Sequence, residues 1–174
     1  MINRYIVCLG VLLFAFTSCV KDGGERLYEI IDYVDVGDSV PAFTVSDDEG
    51  NTFMSSAFEG KRSLLILFAS TCPDCRKVLP QIDKYVWPYL KDNPDYLLIT
   101  ISREETASAV NNYWAEQGYT MPKYLDPKRD VFSLFANSTI PRLYVINETG
   151  QIEWKAIETL EISPEELLYK IIKQ

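Results

Sequence analysis

At 174 residues, with 47% apolar and 24% charged residues, the chain is long enough for one domain with a buried core, short for two, and too apolar to be disordered throughout. A formal net charge of −8 offers no phosphate-binding surface and excludes nucleic acid as an expected partner. With no histidine, the chain can build no Ser-His-Asp or Cys-His device, no HExxH zinc site and no imidazole shuttle, so cysteine is the most reactive side chain left.

The first residues, MINRYIVCLGVLLFAFTSC, place Arg4 before an uncharged run from Ile6 to Phe16, followed by Thr17, Ser18 and Cys19. That run is shorter than the roughly 18–20 apolar residues needed to span a bilayer, and it reads as the core of a signal peptide over 1–18. FTSC resembles the bacterial lipobox, with Phe16 where leucine is usual. The resemblance implies cleavage before Cys19, lipidation of its sulfur and loss of Cys8, so that Cys72 and Cys75 are the free thiols of the mature chain. An ordinary signal peptide cut elsewhere, or a short uncleaved anchor, is the alternative. A lipid anchor would hold the protein at the membrane of a bacterial cell envelope. Val20 in place of aspartate after the cysteine resembles lipoproteins of the outer membrane, on either its periplasmic face or the surface.

Residues 19–35 are expected to carry the lipidated cysteine and a tether, VKDGGER being polar and glycine-bearing, with Leu27 to Val36 ambiguous between helix and strand. From 36 to 174 the pattern is that of one α/β domain. FTVS and NTFM flank the turn-rich DDEG as an N-terminal β-hairpin. RSLLILFAS, residues 62–70, is a continuous apolar run expected to be a central strand covered on both faces.

Next, a helix from Cys72 to about Leu90 carries Val78, Leu79, Ile82, Tyr85, Val86 and Tyr89 at helical spacing, and DYLLITIS is a second buried strand. A helix from about Glu104 to Gln117 is expected to stop at Gly118 and to present Ala107, Val110 and Trp114 as one stripe. A short strand near Lys123–Leu125 and a short helix over Lys128–Phe135 follow. RLYVIN and QIEWKAIE flank ETG as a second hairpin. Ser163 is the expected N-cap of a last helix that starts at Pro164 and carries Leu167, Leu168, Ile171 and Ile172 on one face. Strands alternating with helices and closing on a hairpin predict a central mixed β-sheet with helices on both faces.

The chemistry sits in FASTCPDCRKVLP, residues 68–80. Cys72 stands where the buried strand gives way to a helix, Pro73 fits the first helical position, and Cys75 lies one turn on, on the same face. Unpaired backbone N–H groups and the positive end of the helix dipole favour a thiolate at Cys72, making it a nucleophile. It would attack a partner's disulfide, and Cys75 would then attack the mixed disulfide from within, closing Cys72–Cys75 as the redox-active disulfide. A structural bridge is the alternative, but so short a loop stabilises little. Half of a zinc site is another, yet no second pair and no histidine complete it.

These residues resemble the thioredoxin-like superfamily, and within it the TlpA/ResA group of extracytoplasmic thiol-disulfide oxidoreductases, over about residues 36–174. The segments that carry the resemblance are VGDSVPAFTVSDDEGNTFMSSAFEGK, LLILFASTCPDCRKVLP, TIPRLYVIN and NETGQIEWK. It implies a thioredoxin-like fold and an enzyme that needs no cofactor beyond its own cysteines. It implies Pro80 as the proline inside the active-site helix and Pro141 as a cis-proline against the thiols, with Ile140 pairing with a substrate chain. Thr71, Pro73, Ile140 and Arg142 are the expected substrate contacts. The departures are Thr71 where the family often has tryptophan, and Ile66 where thioredoxins carry a buried carboxylate. Asp74 is the nearest candidate to replace that carboxylate, its alternative being a solvated first-turn acid. Ala69 stands where related peroxidases have Thr or Ser, which disfavours a peroxidase.

The expected partners are disulfide-bearing proteins and an electron-donor thiol protein. Arg76 and Arg142 favour a Cys72 thiolate while Asp74 opposes it, and the resemblance to reducing members sets the expected direction as reduction. The rival reading is a non-enzymatic lipoprotein that binds a partner or a soft metal between its thiolates. NST at Asn137 and NET at Asn147 match the N-glycosylation acceptor, and DSV at Asp38 resembles a bacterial O-glycosylation site; both carry low weight in a chain with a lipobox.

Overall fold

The computed structural model describes residues 29–173; the expected signal peptide, Cys8 and Cys19 lie outside the described residues. Seven strands form one mixed sheet: β1 Thr44–Ser46, β2 Thr52–Met54, β3 Arg62–Phe68, β4 Tyr96–Arg103, β5 Lys123–Asp126, β6 Arg142–Ile146 and β7 Ile152–Ile157, in the order β2-β1-β5-β4-β3-β6-β7. β3, β4 and β5 run parallel; β6 is antiparallel to β3 on one side with β7 antiparallel to β6, and β1 is antiparallel to β5 on the other. All seven residues of β3 are buried. Alternate side chains point to opposite faces of a sheet, so this strand is covered from both sides, as its unbroken apolar run predicts.

Five helices supply that cover: α1 Pro73–Tyr85, α2 Trp87–Leu90, α3 Ala107–Gln117, α4 Phe132–Phe135 and α5 Pro164–Ile172. α1 and α5 pack on each other, while α3 lays Trp114 against Phe68 of β3 with ring centroids 5.0 Å apart. The N-terminal hairpin is sealed by aromatics. Phe43 and Phe53 sit near Phe58, at 6.3 and 5.2 Å between centroids, and Phe43 reaches Phe135 at 6.1 Å, in edge-on or tilted pairs that suit the ring quadrupole. Among the described residues no helix is long and apolar enough to cross a membrane.

The structure departs from the sequence reading at element ends, each time for a local reason. The helix expected to reach Leu90 breaks after Tyr85. Pro88, in the first turn of α2, has no N–H to give the carbonyl of Lys84 and its ring crowds that carbonyl, so the helix does not run on, and Tyr85 and Tyr89 face solvent instead of lining the core. α3 begins at Ala107, not Glu104, because Glu104 is left-handed at φ 60°, and Thr106 caps the helix by accepting from Ala109 N at 3.3 Å. Ala107 is half-buried, so the buried stripe of α3 is Val110, Tyr113 and Trp114.

The helix expected over Lys128–Phe135 is reduced to Phe132–Phe135, Arg129 being left-handed at φ 66°. α5 buries Leu167 and Ile171 and leaves Ile172 exposed, and a capping box formed by Ser163 and Glu166 starts it. Gly118 ends α3 at φ 69°, a conformation that glycine adopts without the Cβ clash other residues meet.

Residues 29–35, expected to belong to the tether, are instead laid on the domain. Tyr33 N donates to Phe135 O at 2.8 Å, Asn137 N to Ile31 O at 3.0 Å, and Asp32 bridges to Ala136.

Candidate active site

The site is built where β3 ends. The chain turns through Ala69, Ser70 and Thr71, Cys72 N donates to Ala69 O at 3.2 Å, and Cys72 becomes the N-cap of α1 with Pro73 as its first residue. Proline suits that position because an N–H there would have no partner in the helix. Cys72 makes no capping bond with its side chain. Its half-buried thiol is free to point across the turn, where it donates to Ile140 O at 3.5 Å.

Cys75, one turn on, is fully buried beside Val78 and Leu79. Both cysteines are free thiols. Burial pushes the Cys75 thiol far above its ordinary value, the Ala69 N–H pulls against that, and the neighbouring Cys72 pushes the same way as burial. One sulfur is therefore accessible and the other is held back and protonated.

The facing wall is the loop 138–141. The Ile140–Pro141 peptide bond is cis, as the resemblance implies, and Pro141 is buried against the thiols' side of the sheet. Every carbonyl of this loop has a partner. Ser138 O and Thr139 O accept from the Arg142 guanidinium, at 2.8 Å and 2.9 Å for the shorter contacts, Ile140 O accepts from Cys72, and Pro141 O accepts from Glu158 N at 2.8 Å. Thr139 holds a φ of 67°, costly for a β-branched residue, and the Arg142 contact to its carbonyl fixes it there.

The expected site residues divide accordingly. Thr71 and Pro73 are exposed beside Cys72, and Ile140 presents its carbonyl to it. Arg142 is corrected. Its side chain has no exposed surface, and its guanidinium is spent on Asp32 at 2.6 Å and on the carbonyls of Ser138 and Thr139, so it shapes the loop and cannot reach a substrate. Asp74 is turned toward Lys77, which donates to it at 2.7 Å in an i,i+3 pair at the surface, the arrangement of a solvated first-turn acid. Arg76 donates to Ser70 O at 2.6 Å and lies over the Tyr113 ring at 4.7 Å. Pro80 sits within α1 and withholds an N–H from the carbonyl of Arg76 while the helix continues to Tyr85.

Two residues not foreseen from sequence also stand here. Glu105 clamps the turn before the cysteines, accepting from both the N–H and the hydroxyl of the buried Ser70, at 2.8 and 2.5 Å. Arg103, the last residue of β4, stacks on Phe132 at 4.6 Å. Its Nε is buried without a hydrogen bond, although Glu104 comes within ion-pair distance at 3.1 Å, because the carboxylate is out of line with the N–H. Burial and Arg129 lower its pKa, while Glu104, Cys75 and Cys72 act to raise it. The C-terminal ends of β3 and β4 lie side by side, with Phe68 paired to Ser102. In sheets of this kind, sites form just beyond the carboxyl ends of parallel strands, and that rule was the available signal for Arg103.

The Redoxin family model matches residues 35–170. This chain belongs to the Redoxin family. Among characterised relatives it is similar to sporulation thiol-disulfide oxidoreductase A of Bacillus subtilis, 28% identical over 66% of this chain and 70% of the relative. It is also similar to the thiol-disulfide oxidoreductase ResA of Bacillus subtilis, 22% identical over 86% of this chain and 83% of the relative. A candidate protein disulfide isomerase from Bacteroides thetaiotaomicron, solved in solution, superposes with a TM-score of 0.77 at 31% identity, covering 83% of this chain and 94% of that one. This Redoxin domain is a ResA-like, thioredoxin-like domain.

Proposed function

We propose that this Redoxin protein is a reductase of disulfides in extracytoplasmic proteins, working through a Cys72–Cys75 dithiol couple. That it is a thiol-disulfide oxidoreductase rests on its relatives; that it uses this couple is supported by the geometry of the two sulfurs, and the direction by the resemblance to reducing members of the TlpA/ResA group. The observation that carries the reading is the pairing of an accessible thiol at a helix N-terminus, facing Ile140 O across the cis-proline loop, with a buried, protonated thiol one turn away.

In the forward reaction the Cys72 thiolate attacks one sulfur of a substrate disulfide. The substrate S–S bond breaks, a Cys72–substrate disulfide forms, and one substrate thiolate leaves and takes up a proton. Cys75 then gives up its proton and attacks the Cys72 sulfur, so that the mixed disulfide breaks, Cys72–Cys75 forms, and the second substrate thiolate leaves. Two electrons pass from the couple to the substrate; Cys75 releases one proton, and the second comes from solvent, which took the Cys72 proton when the thiolate formed. A reduced dithiol protein must restore the couple by the same exchange. Backbone at Ile140 and the exposed Thr71 and Pro73 are the proposed substrate contacts, and Pro141 shapes the wall they share. The leader sequence and Cys19 support placing the enzyme at the bacterial envelope on a lipid anchor.

The test is a titration of the purified chain against thiol buffers of defined potential, with oxidation state read by alkylation. A reversible two-electron transition near thioredoxin's value, about −270 mV, supports the reductase. A transition nearer that of DsbA, about −120 mV, reverses the direction. A pair that never cycles overturns the reading.

A further inference from the structure

Asp32 lies outside the cysteine turn, in the strap of residues 29–35 that leads into the domain. Its two carboxylate oxygens are divided between two cations: Oδ1 accepts from Arg142 at 2.6 Å and Oδ2 from Lys155 at 2.8 Å. Arg142 is wholly buried, and Asp32 is its ion-pair partner among the described residues. A buried guanidinium is tolerated only when its charge is paired and its N–H groups are satisfied. The remaining donors of Arg142 go to the carbonyls of Ser138 and Thr139, the two residues before the Ile140 carbonyl that faces Cys72.

The strap is also pinned to the loop's approach by backbone. Tyr33 N reaches Phe135 O at 2.8 Å, and Asn137 spends its side chain on Ile31 N at 2.8 Å and Glu29 O at 2.7 Å. A continuous path of paired groups therefore runs from Asp32 through Arg142 to the left-handed Thr139 and on to Ile140.

We infer that Asp32 is a positioning residue for disulfide exchange: by neutralising the buried Arg142 it holds the 138–141 loop at the height where Ile140 meets the substrate and Cys72. The strap thereby becomes part of the active site, and the domain that begins at residue 36 lacks one of its supports. The inference rests on the proposal that the Cys72–Ile140 face receives the substrate.

The experiment compares the full chain with Asp32→Asn, using a peptide that carries an intramolecular disulfide, and measures kcat and KM separately alongside the rate at which iodoacetamide alkylates Cys72. A displaced loop impairs docking of the peptide but not the small reagent. Asp32→Asn should raise KM about tenfold, within the ~10²-fold that a 1 Å misplacement can cost, and leave the alkylation rate within about twofold. An unchanged KM in a folded Asp32→Asn protein overturns the inference. So does a fall in kcat and in alkylation together, which would mark general damage.

If Asp32→Asn does not fold, the double variant Asp32→Asn with Arg142→Met removes both charges, and such neutral replacements are often well tolerated. It should fold and still show the raised KM, and a wild-type KM there overturns the inference. In the Arg142→Met background, the change at Asp32 should have no further effect on KM, since Asp32 acts through Arg142. A wild-type chain that turns over no peptide disulfide would instead count against the proposed function.

Discussion

Cys72 Sγ donates to the carbonyl of Ile140 at 3.5 Å, so the half-buried thiol of the turn and the residue before the cis-proline meet although 68 positions separate them. A substrate disulfide brought to Cys72 meets the backbone of Ile140 in the same step. Buried Cys75 waits behind, screened from any partner larger than the sulfur it is to attack.

The two thiols should fail differently. Cys75→Ser leaves the attacking sulfur but removes the resolving one, and should accumulate a mixed disulfide through Cys72, visible by mass spectrometry under non-reducing conditions. Cys72→Ser should form none. Adducts in equal yield from both variants would mean that Cys75 is reachable from outside, against its burial.

The protonation of Cys75 sets a pH dependence. Burial raises its pKa above the ordinary 9.0, so release of substrate from the mixed disulfide should speed up about tenfold per pH unit through pH 9 without a plateau. The same shift is a stability statement. Between the ordinary value and the folded one, the native state holds a proton that the unfolded chain has lost, so the reduced protein loses stability as pH rises above about 9. The Tm of the reduced protein should fall across that range more steeply than that of Cys75→Ala.

Glu105→Ala leaves the N–H and hydroxyl of Ser70 without acceptors at a site only 4% exposed. One unsatisfied buried group costs about 1–3 kcal/mol, and a loss of this size lowers Tm by roughly 2–4 °C per kcal/mol in a domain of this length. Thermal unfolding of the variant checks the magnitude, and an unchanged Tm would show that water replaces the clamp.

Asp74→Asn should leave the resolving rate within about twofold of wild type, because the carboxylate is engaged by Lys77 at the surface and a surface i,i+3 pair is worth only ~0.2–0.5 kcal/mol. A tenfold loss in stopped-flow resolution of the mixed disulfide would restore Asp74 as the replacement for the carboxylate absent at Ile66.

Ser163→Ala separates stability from chemistry. It removes the acceptor of Glu166 N at 3.1 Å and with it the capping box of α5, which should cost about 1 kcal/mol. Chemical denaturation should record that loss while the reduction potential of the cysteine pair stays unchanged.

What could be read from the residues themselves were the features set by neighbours in the chain. The five consecutive apolar residues of β3, Leu64 to Phe68, the turn that places Cys72 and Pro73 at the mouth of α1, the Ser163 cap and the Gly118 stop all follow from spacing, apolar pattern and single-residue conformational preference, which act over a few positions. The cis bond before Pro141 came from resemblance alone, since the residues around it carry no local demand for it. Element ends failed where one backbone angle or one later proline overrode periodicity, at Glu104, Arg129 and Pro88.

The sequence by itself determined that two thiols stand one helical turn apart at the end of a buried strand. Only the tertiary structure decided what surrounds them: that Ile140 faces Cys72, that Glu105 clamps Ser70 and that Arg103 closes β4 beside the end of β3. It also decided that Arg142, exposed-looking as a charged residue beside a proline, is buried on Asp32 from 110 positions away. Those meetings depend on strand order and register, which bring distant segments to one edge of the sheet, and no local preference of either partner encodes the distance between them.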